Sequence, residues 1–516
     1  MGPAVTRREM LHRITLAGAA GVAVLAEAGC ADIRAQTGRI TGPLPAVFTQ
    51  LPSESLLANG TLHAARRLGF GPRPGDLAHI AEIGARHWVE EQLRDSDTME
   101  EDPAVSWRVN GLDTQQTERD APDALFSMEY DQLLHETQQA AILRAVYSRH
   151  QLRENMADFW TNHFNIYAPK SDGQAMVPVD TETVIRNHIW NFPELLMASA
   201  KSPAMLNYLD NKLNHRGVAN ENYARELLEL HTLGVKSGYT LKDIQEVARC
   251  LTGWTIKTGF QRGQFEYVDS LHDNGPKYIP FLNLTIEPGG KQSDAETVIH
   301  TLSTHPTVGK FLAGKLCRRF LGFAPPDVVA KSASAFVAGK GDVRAMLRPI
   351  LLDALFAPES NRPIMKRPLD MMASALRVLG ADTDGGEGVQ TYLANMGQPL
   401  YQWPMPDGFP EKPSAWSGSM LPRWNFALAL TSEAIDGTHV DLKAPLTAGG
   451  ASTDEVRLDT MIATVLSANP GNTGVQQTRE QVKRHITQAR RQAVSEEQIL
   501  AECYGLLLAS PAFQWK

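Results

Sequence analysis

Hydrophobic residues recur along most of this chain at the three-to-four-residue spacing of helices, and few stretches alternate as strands do. Leu152, Met156, Phe159, His163 and Ile166 fall at i, i+4, i+7, i+11 and i+14, with Glu154, Asp158, Asn162 and Asn165 forming a polar stripe beside them. This predicts a long helix from about Ser127 to Asn165 with His163 on the packed side. A core histidine with satisfied ring nitrogens is the commoner outcome for such a position. Start signals mark further helices. Thr181 to Trp190 carries Glu182 and Arg186 one turn apart, and Ser202-Pro203 places a cap before a first-turn proline. Thr240-Leu241-Lys242-Asp243 and Ser293-Asp294-Ala295-Glu296 have capping-box spacing, and Ser495 caps the last helix. Thr307 to Phe320 reads as a helix with Lys310, Lys315, Arg318 and Arg319 on its polar side. Residues 96–122, 169–180 and 436–455 read as loops, and Phe260, Phe265 and Tyr267 alternate as in a short hairpin. The predicted fold class is mainly α: a multi-helical globular array with long loops and at most a small β-hairpin.

The first residues read as an address rather than as fold. Arg7-Arg8 precedes an apolar run from Ile14 to Ala26 that is too short for a stable bilayer span. Together they resemble a twin-arginine export signal, with Thr6 and Met10 where Ser and Phe are commoner. Ala26-Glu27-Ala28 has the small residues a signal peptidase reads, which places cleavage after Ala28. Acylation of Cys30 as a lipoprotein is the rival, disfavoured by Glu27 where an aliphatic residue is wanted. The expected organisation is a signal at 1–28, a linker or arm at 29–58, and one large helical domain at 59–516 with a candidate sub-boundary near 290. The expected location is the periplasm or the exterior, with no transmembrane segment in the mature chain.

With 516 residues, 43% of them hydrophobic and 21% charged, the chain can bury a sizeable core. A net charge of −8 gives no basic face to displace counterions from phosphates, so nucleic acid is a poor partner. Apart from Cys30 there are Cys250, Cys317 and Cys503, an odd number without a CxxC pair. Neither a disulfide framework nor a thiolate metal site is indicated.

Candidate chemistry concentrates between Asn220 and His231. On a wheel of about 100° per residue, Asn222, Glu226 and Glu229 align on one polar wedge with Arg225 and Glu221. His231 falls on the apolar arc with Tyr223, Leu227 and Leu230, so Glu229 and His231 cannot ligate one ion from a regular helix. Two carboxylates and an amide on one stripe suit a hard cation or acid–base work, against the commoner outcome of a solvated, ion-paired face. His272-Asp273, read as exposed on a Gly-rich loop, are further candidate ligands or catalytic groups, although Asp-Asn-Gly is also an ordinary turn. Trp403, in the aromatic and proline-rich stretch from Pro399 to Pro410, could stack on a sugar or cover a pocket, with Trp416 and Trp424 following.

Several of these stretches resemble a bacterial family known as domain of unknown function 1800. They include Phe159-Trp160-Thr161-Asn162-His163-Phe164, the run from Ser202 to Asp210, Asn220 to Gly234, Leu251-Thr252-Gly253-Trp254, His272-Asp273, Lys315-Leu316-Cys317, Arg367-Pro368-Leu369, Gly397-Gln398-Pro399-Leu400 and Ser510-Pro511-Ala512-Phe513-Gln514. The loop after Gln402 lacks the family's Gly-Trp step. The resemblance implies a secreted helical protein, frequently exported by the twin-arginine route, and no established activity.

Two readings follow. One is an exported enzyme whose buried site uses Glu226, Glu229, His163, His272 and Asp273, with Asn222, His231 and Trp403 toward a cofactor, a metal ion or haem. The other is a non-catalytic factor of the cell envelope that binds a glycan or protein through the Trp403 region.

Overall fold

The stripe of Leu152, Met156, Phe159 and His163 forms the inner side of a helix, Gln151–His163, and none of the four is more than 3% exposed. The computed structural model describes residues 60–94, 102–468 and 473–516; the stretches read as an export signal and an arm, with Cys30, lie outside them. Around this helix one continuous apolar cluster runs from Ala64 to Phe513. At its centre Trp160 donates its indole N–H to the Ile189 carbonyl at 3.0 Å and packs against the rings of Phe164 and Phe192. Truncating Trp160 to alanine would cost about 3–5 kcal/mol. Among the described residues no helix is long and apolar enough to cross a membrane.

The helix expected from Ser127 to Asn165 is in fact two, Tyr130–Tyr147 and Gln151–His163. Gln151 breaks the run: its amide donates to the Ser148 carbonyl while its Oε1 accepts from the Phe70 amide, and the Arg149 N–H goes to Asp102. Parts of the expected loops are helical as well. Pro103–Val109 anchors Val105 and Val109 against Ala140 and Leu143, and Gly173–Val179 runs into the π-helical stretch Asp180–Arg186. Helices of seven residues make only about two turns, too short for a period to show.

The capping box at Thr240 forms in full, and Ser495 accepts from Gln498 N. Ser202 and Ser293 do not cap. Ser202 Oγ donates to Asp180, and Ser293 Oγ donates to the Gly290 carbonyl while Asp294 is held by Lys277. Among the described residues three antiparallel ribbons complete the mainly α fold. Trp254–Ile256 pairs with Phe265–Tyr267 as the expected hairpin, Lys277–Ile279 pairs with Leu284–Ile286, and Asp382–Thr383 pairs with Thr438–His439.

The aromatic loop is pinned to the end of the central helix. Asn165 Nδ2 donates to the carbonyls of Trp403 and Met405, and Asn162 exchanges two hydrogen bonds with the Phe409 backbone. Gly408 has φ +74°, and a Cβ there would lie 2.2 Å from the Asn162 carbonyl oxygen, so only glycine allows this approach. Tyr208 fixes the loop from a third side through its hydroxyl, 2.8 Å from the Pro404 carbonyl.

Candidate functional site

Asn220 caps the helix Glu221–Glu226 by accepting from Asn222 N, and the chain then widens into a π-helical turn, Leu227–Thr232. The Leu233 amide reaches back five residues to the Leu228 carbonyl at 2.8 Å. The regular wheel therefore fails after Glu226: Leu228 is buried and Leu230 only half-buried. His231 keeps its predicted inward direction at 1% exposure, against Phe164 and Tyr223.

Glu226 and Glu229 are half-buried, and Asp407 of the pinned loop stands exposed near Glu226. Burial, then the neighbouring Glu229 and Asp407, raise the Glu226 carboxyl above its ordinary value against the pull of Arg225. Among the described residues the Glu226 side chain has no hydrogen bond and no ion pair. Glu229 accepts from the Tyr239 hydroxyl at 3.4 Å, and Asp407 accepts from the half-buried Trp403 indole at 3.1 Å. Burial, then Glu226 and Asp407, raise the Tyr208 phenol, so the two carboxylates lie near it.

Lys315, on the helix Pro306–Leu321, also stands near Asp407, whose charge acts on it. Its Nζ lies 2.9 Å from His163 Nδ1, and His163 Nε2 lies 3.0 Å from the His231 carbonyl oxygen. That oxygen can only accept, so His163 carries its proton on Nε2 and presents a lone pair to Lys315. Burial, then the Lys315 charge, hold His163 well below its ordinary value, and His231 is lowered to about 3 for the same reasons. Burial likewise lowers Lys315 to about 8, although Glu411 and Asp407 pull the other way.

Behind the helix the polar stripe lines a second site, a cavity of about 70 Å³ bordered by Glu154, Asp158, Asn162, Asn165, Asp180 and Arg186. Here the charges are paired. Arg186 grips Glu154 through two hydrogen bonds of 2.8 and 2.9 Å, and Arg144 binds Glu182 at 2.5 Å. Asp158 receives Arg319 and Arg367, and Asp370 receives Lys516 at 2.8 Å. Burial works to raise Glu154, but Arg186 brings it down to about 2. Asp180 is the exception: burial raises it to about 7, with only the Ser202 hydroxyl donating to it. A larger cleft of about 360 Å³ borders Arg73, Asp76, Arg149 and Arg377 and holds none of the predicted site residues.

The sequence candidates thus separate. Glu226 and Glu229 lie together, Trp403 donates to Asp407 near them and His163 contacts Lys315; Asn222 is exposed, with its amide donating to the Leu209 carbonyl. His272 is buried rather than exposed, with Nδ1 2.7 Å from the Thr252 carbonyl and Nε2 3.2 Å from Asp294. Asp273 is clasped by Arg249 at 2.8 and 3.2 Å. Neither has a hydrogen bond, ion pair or ring contact to Glu226, Glu229 or His163 among the described residues. Trp416 is buried too, at 4% exposure beside Phe409 and Met365, so it offers no open platform.

The donor set does not fit a metal ion, since among the described residues no three His, Cys, Asp or Glu side chains come together to ligate one. Haem does not fit either. Both nitrogens of His163 are engaged, and His231 is packed among the rings of Phe164, Tyr223 and His163.

Lys315, Asp407, Tyr208 and Asp180 were not singled out by sequence patterning. Phe311, Lys315 and Arg319 follow at i, i+4 and i+8, a stripe flanking the apolar Val308, Leu312, Leu316 and Phe320, which marks a half-covered boundary rather than a solvated face. Lys315 also begins one of the segments that carried the family resemblance.

A family model described as "Protein of unknown function (DUF1800)" matches residues 63–515, and the chain belongs to that family. No curated protein and no solved structure matches it.

Proposed function

We propose that this DUF1800 protein is an exported enzyme of the cell envelope that carries out proton transfer on an uncharged substrate bound between Glu226, Asp407 and Lys315. The observation that carries this reading is Glu226: a half-buried carboxyl without a cationic partner, kept beside two further carboxylates that favour its protonated form. A carboxyl so placed can hold a proton nearer neutral pH and both give and take it, the requirement of general acid–base catalysis. The three carboxylates disfavour an anion, and Tyr208, Tyr239 and Trp403 supply hydroxyl groups and an aromatic rim. Export rests on the Arg7-Arg8 signal. Replacing both arginines with lysine should hold the protein in the cytoplasm on cell fractionation.

A strain lacking the protein, complemented with wild type, Glu226→Gln or Trp403→Ala, tests the reading through its periplasmic small-molecule pool. The enzyme reading expects Glu226→Gln to reach normal protein levels yet leave the pool as in the deletion. The second reading, glycan or envelope-protein binding, rests on half-exposed Trp403 beside exposed Pro404 and Met405. It expects loss with Trp403→Ala and full rescue by Glu226→Gln, and that rescue would overturn the acid–base assignment.

A further inference from the structure

Resting on that reading of the cleft, we propose that Lys315 is its nucleophile and forms an imine with a neutral aldehyde or ketone. Four observations converge on this residue. Its Nζ is 2.9 Å from a ring nitrogen of His163 that has a free lone pair, so a neutral base holds the amine in one direction. The rings of Phe159 and Phe311 lie 5.9 and 5.8 Å from Nζ and keep that side dry. No carboxylate comes within ion-pair distance of it among the described residues, whereas buried Lys277 and Lys516 are paired with Asp294 at 2.6 Å and Asp370 at 2.8 Å. Finally, Lys315 keeps partial exposure, while Lys366, another lysine without a carboxylate partner, is buried against Ser374 and the Phe513 ring. Burial lowers the ammonium to about 8, which leaves a usable fraction of free amine near neutral pH.

The step balances without an oxidant or reductant. The free amine attacks the carbonyl carbon, the C–N bond forms as the C=O π pair moves to oxygen, and the Glu226 carboxyl protonates that oxygen. The Glu226 carboxylate then takes a proton from the attached nitrogen and returns it to the hydroxyl. Water leaves, and the nitrogen lone pair closes the C=N bond of the iminium. Glu226, Glu229 and Asp407 would repel an anionic carbonyl compound, which is why the substrate class is neutral.

Reductive trapping tests this on the full-length exported protein. Wild type is incubated near neutral pH with cyanoborohydride and either propanal or glyoxylate, and labelled lysines are read by peptide mass spectrometry. Propanal should alkylate Lys315 more than ~10-fold faster than exposed Lys340, the factor that lowering an amine's pKa by one gives in free amine. Glyoxylate should label Lys315 more slowly than propanal, and Lys315→Arg should lose the fast label. Labelling of Lys315 no faster than Lys340 would overturn the nucleophile, and equal rates with glyoxylate would overturn the neutral class. The complementation by Glu226→Gln reads the acid–base assignment separately. Its loss of function together with slow, uniform trapping would sink the nucleophile alone.

Discussion

The cavity and the proposed cleft are built from the same residue types with opposite accounting. In the cavity, Glu154 and Asp158 each meet a guanidinium, as Glu182 and Asp370 nearby meet a guanidinium and an ammonium, and Asp180 alone of the lining carboxyls named has no cation and is pushed toward its neutral form. In the cleft, Glu226, Glu229, Asp407 and Lys315 have no ion-pair partner among the described residues. Pairing removes the reactivity of a charge and turns it into a packing restraint, whereas a half-covered charge without a partner keeps an unsettled protonation state. The density of ionisable groups therefore does not locate chemistry; the unpaired ones do.

The sharpest way to break the comparison is to unpair the cavity. Arg186→Ala strands Glu154 as a buried carboxylate and should lower stability by about 3–5 kcal/mol in urea unfolding. A cost below ~1 kcal/mol, the value of an exposed pair, would mean the cavity is as wet as the cleft.

Next in size is the pH signature of Asp180. Its folded value of about 7 exceeds its ordinary 3.8, so its contribution is complete below 3.8 and is lost as pH rises toward 7, at ~1.4 kcal/mol per pH unit. Asp180→Asn should therefore gain on wild type steadily between those limits. Parallel stability curves would contradict the burial of an unpaired carboxyl. His231 has the opposite sign. Its value of about 3 lies below the ordinary 6.5, so its contribution is complete above 6.5 and is lost as pH falls toward 3. A Leu in its place should flatten the acid limb of the stability profile, and an unchanged limb would count against a buried neutral imidazole.

The smallest effect on stability belongs to the cleft. Glu226→Gln should change the stability read by urea unfolding by no more than ~0.5 kcal/mol, or stabilise slightly near neutral pH, since it removes a carboxyl whose ionised form is disfavoured. A large loss would make Glu226 part of the structural network.

The helical class, the inward side of His163 and the Thr240 cap were legible because each depends on local spacing. The polar stripe from Glu154 to Asn165 was legible as a stripe, but spacing along one helix cannot say whether its polar face meets water or arginines more than thirty residues away. The wheel over Asn220–His231 failed for a different reason: the π turn at Leu227–Thr232 changes the angle per residue, and nothing in its composition announces it. His272 and Asp273 looked like an exposed pair on a turn, yet Asp294 and Arg249, some twenty residues away, bind them. Asp407 entered the site only because Asn162 and Gly408 dock its loop, a contact between positions far apart in the chain.

The Glu226 carboxyl makes no ion pair and stands among other carboxylates that outweigh the pull of Arg225. Its ¹³C chemical shift, followed through a pH titration and assigned by difference from Glu226→Gln, measures this directly. The expected midpoint lies above the ordinary 4.5 and falls when Asp407 is replaced by Asn. A midpoint at or below 4.5, unmoved by that replacement, would contradict it.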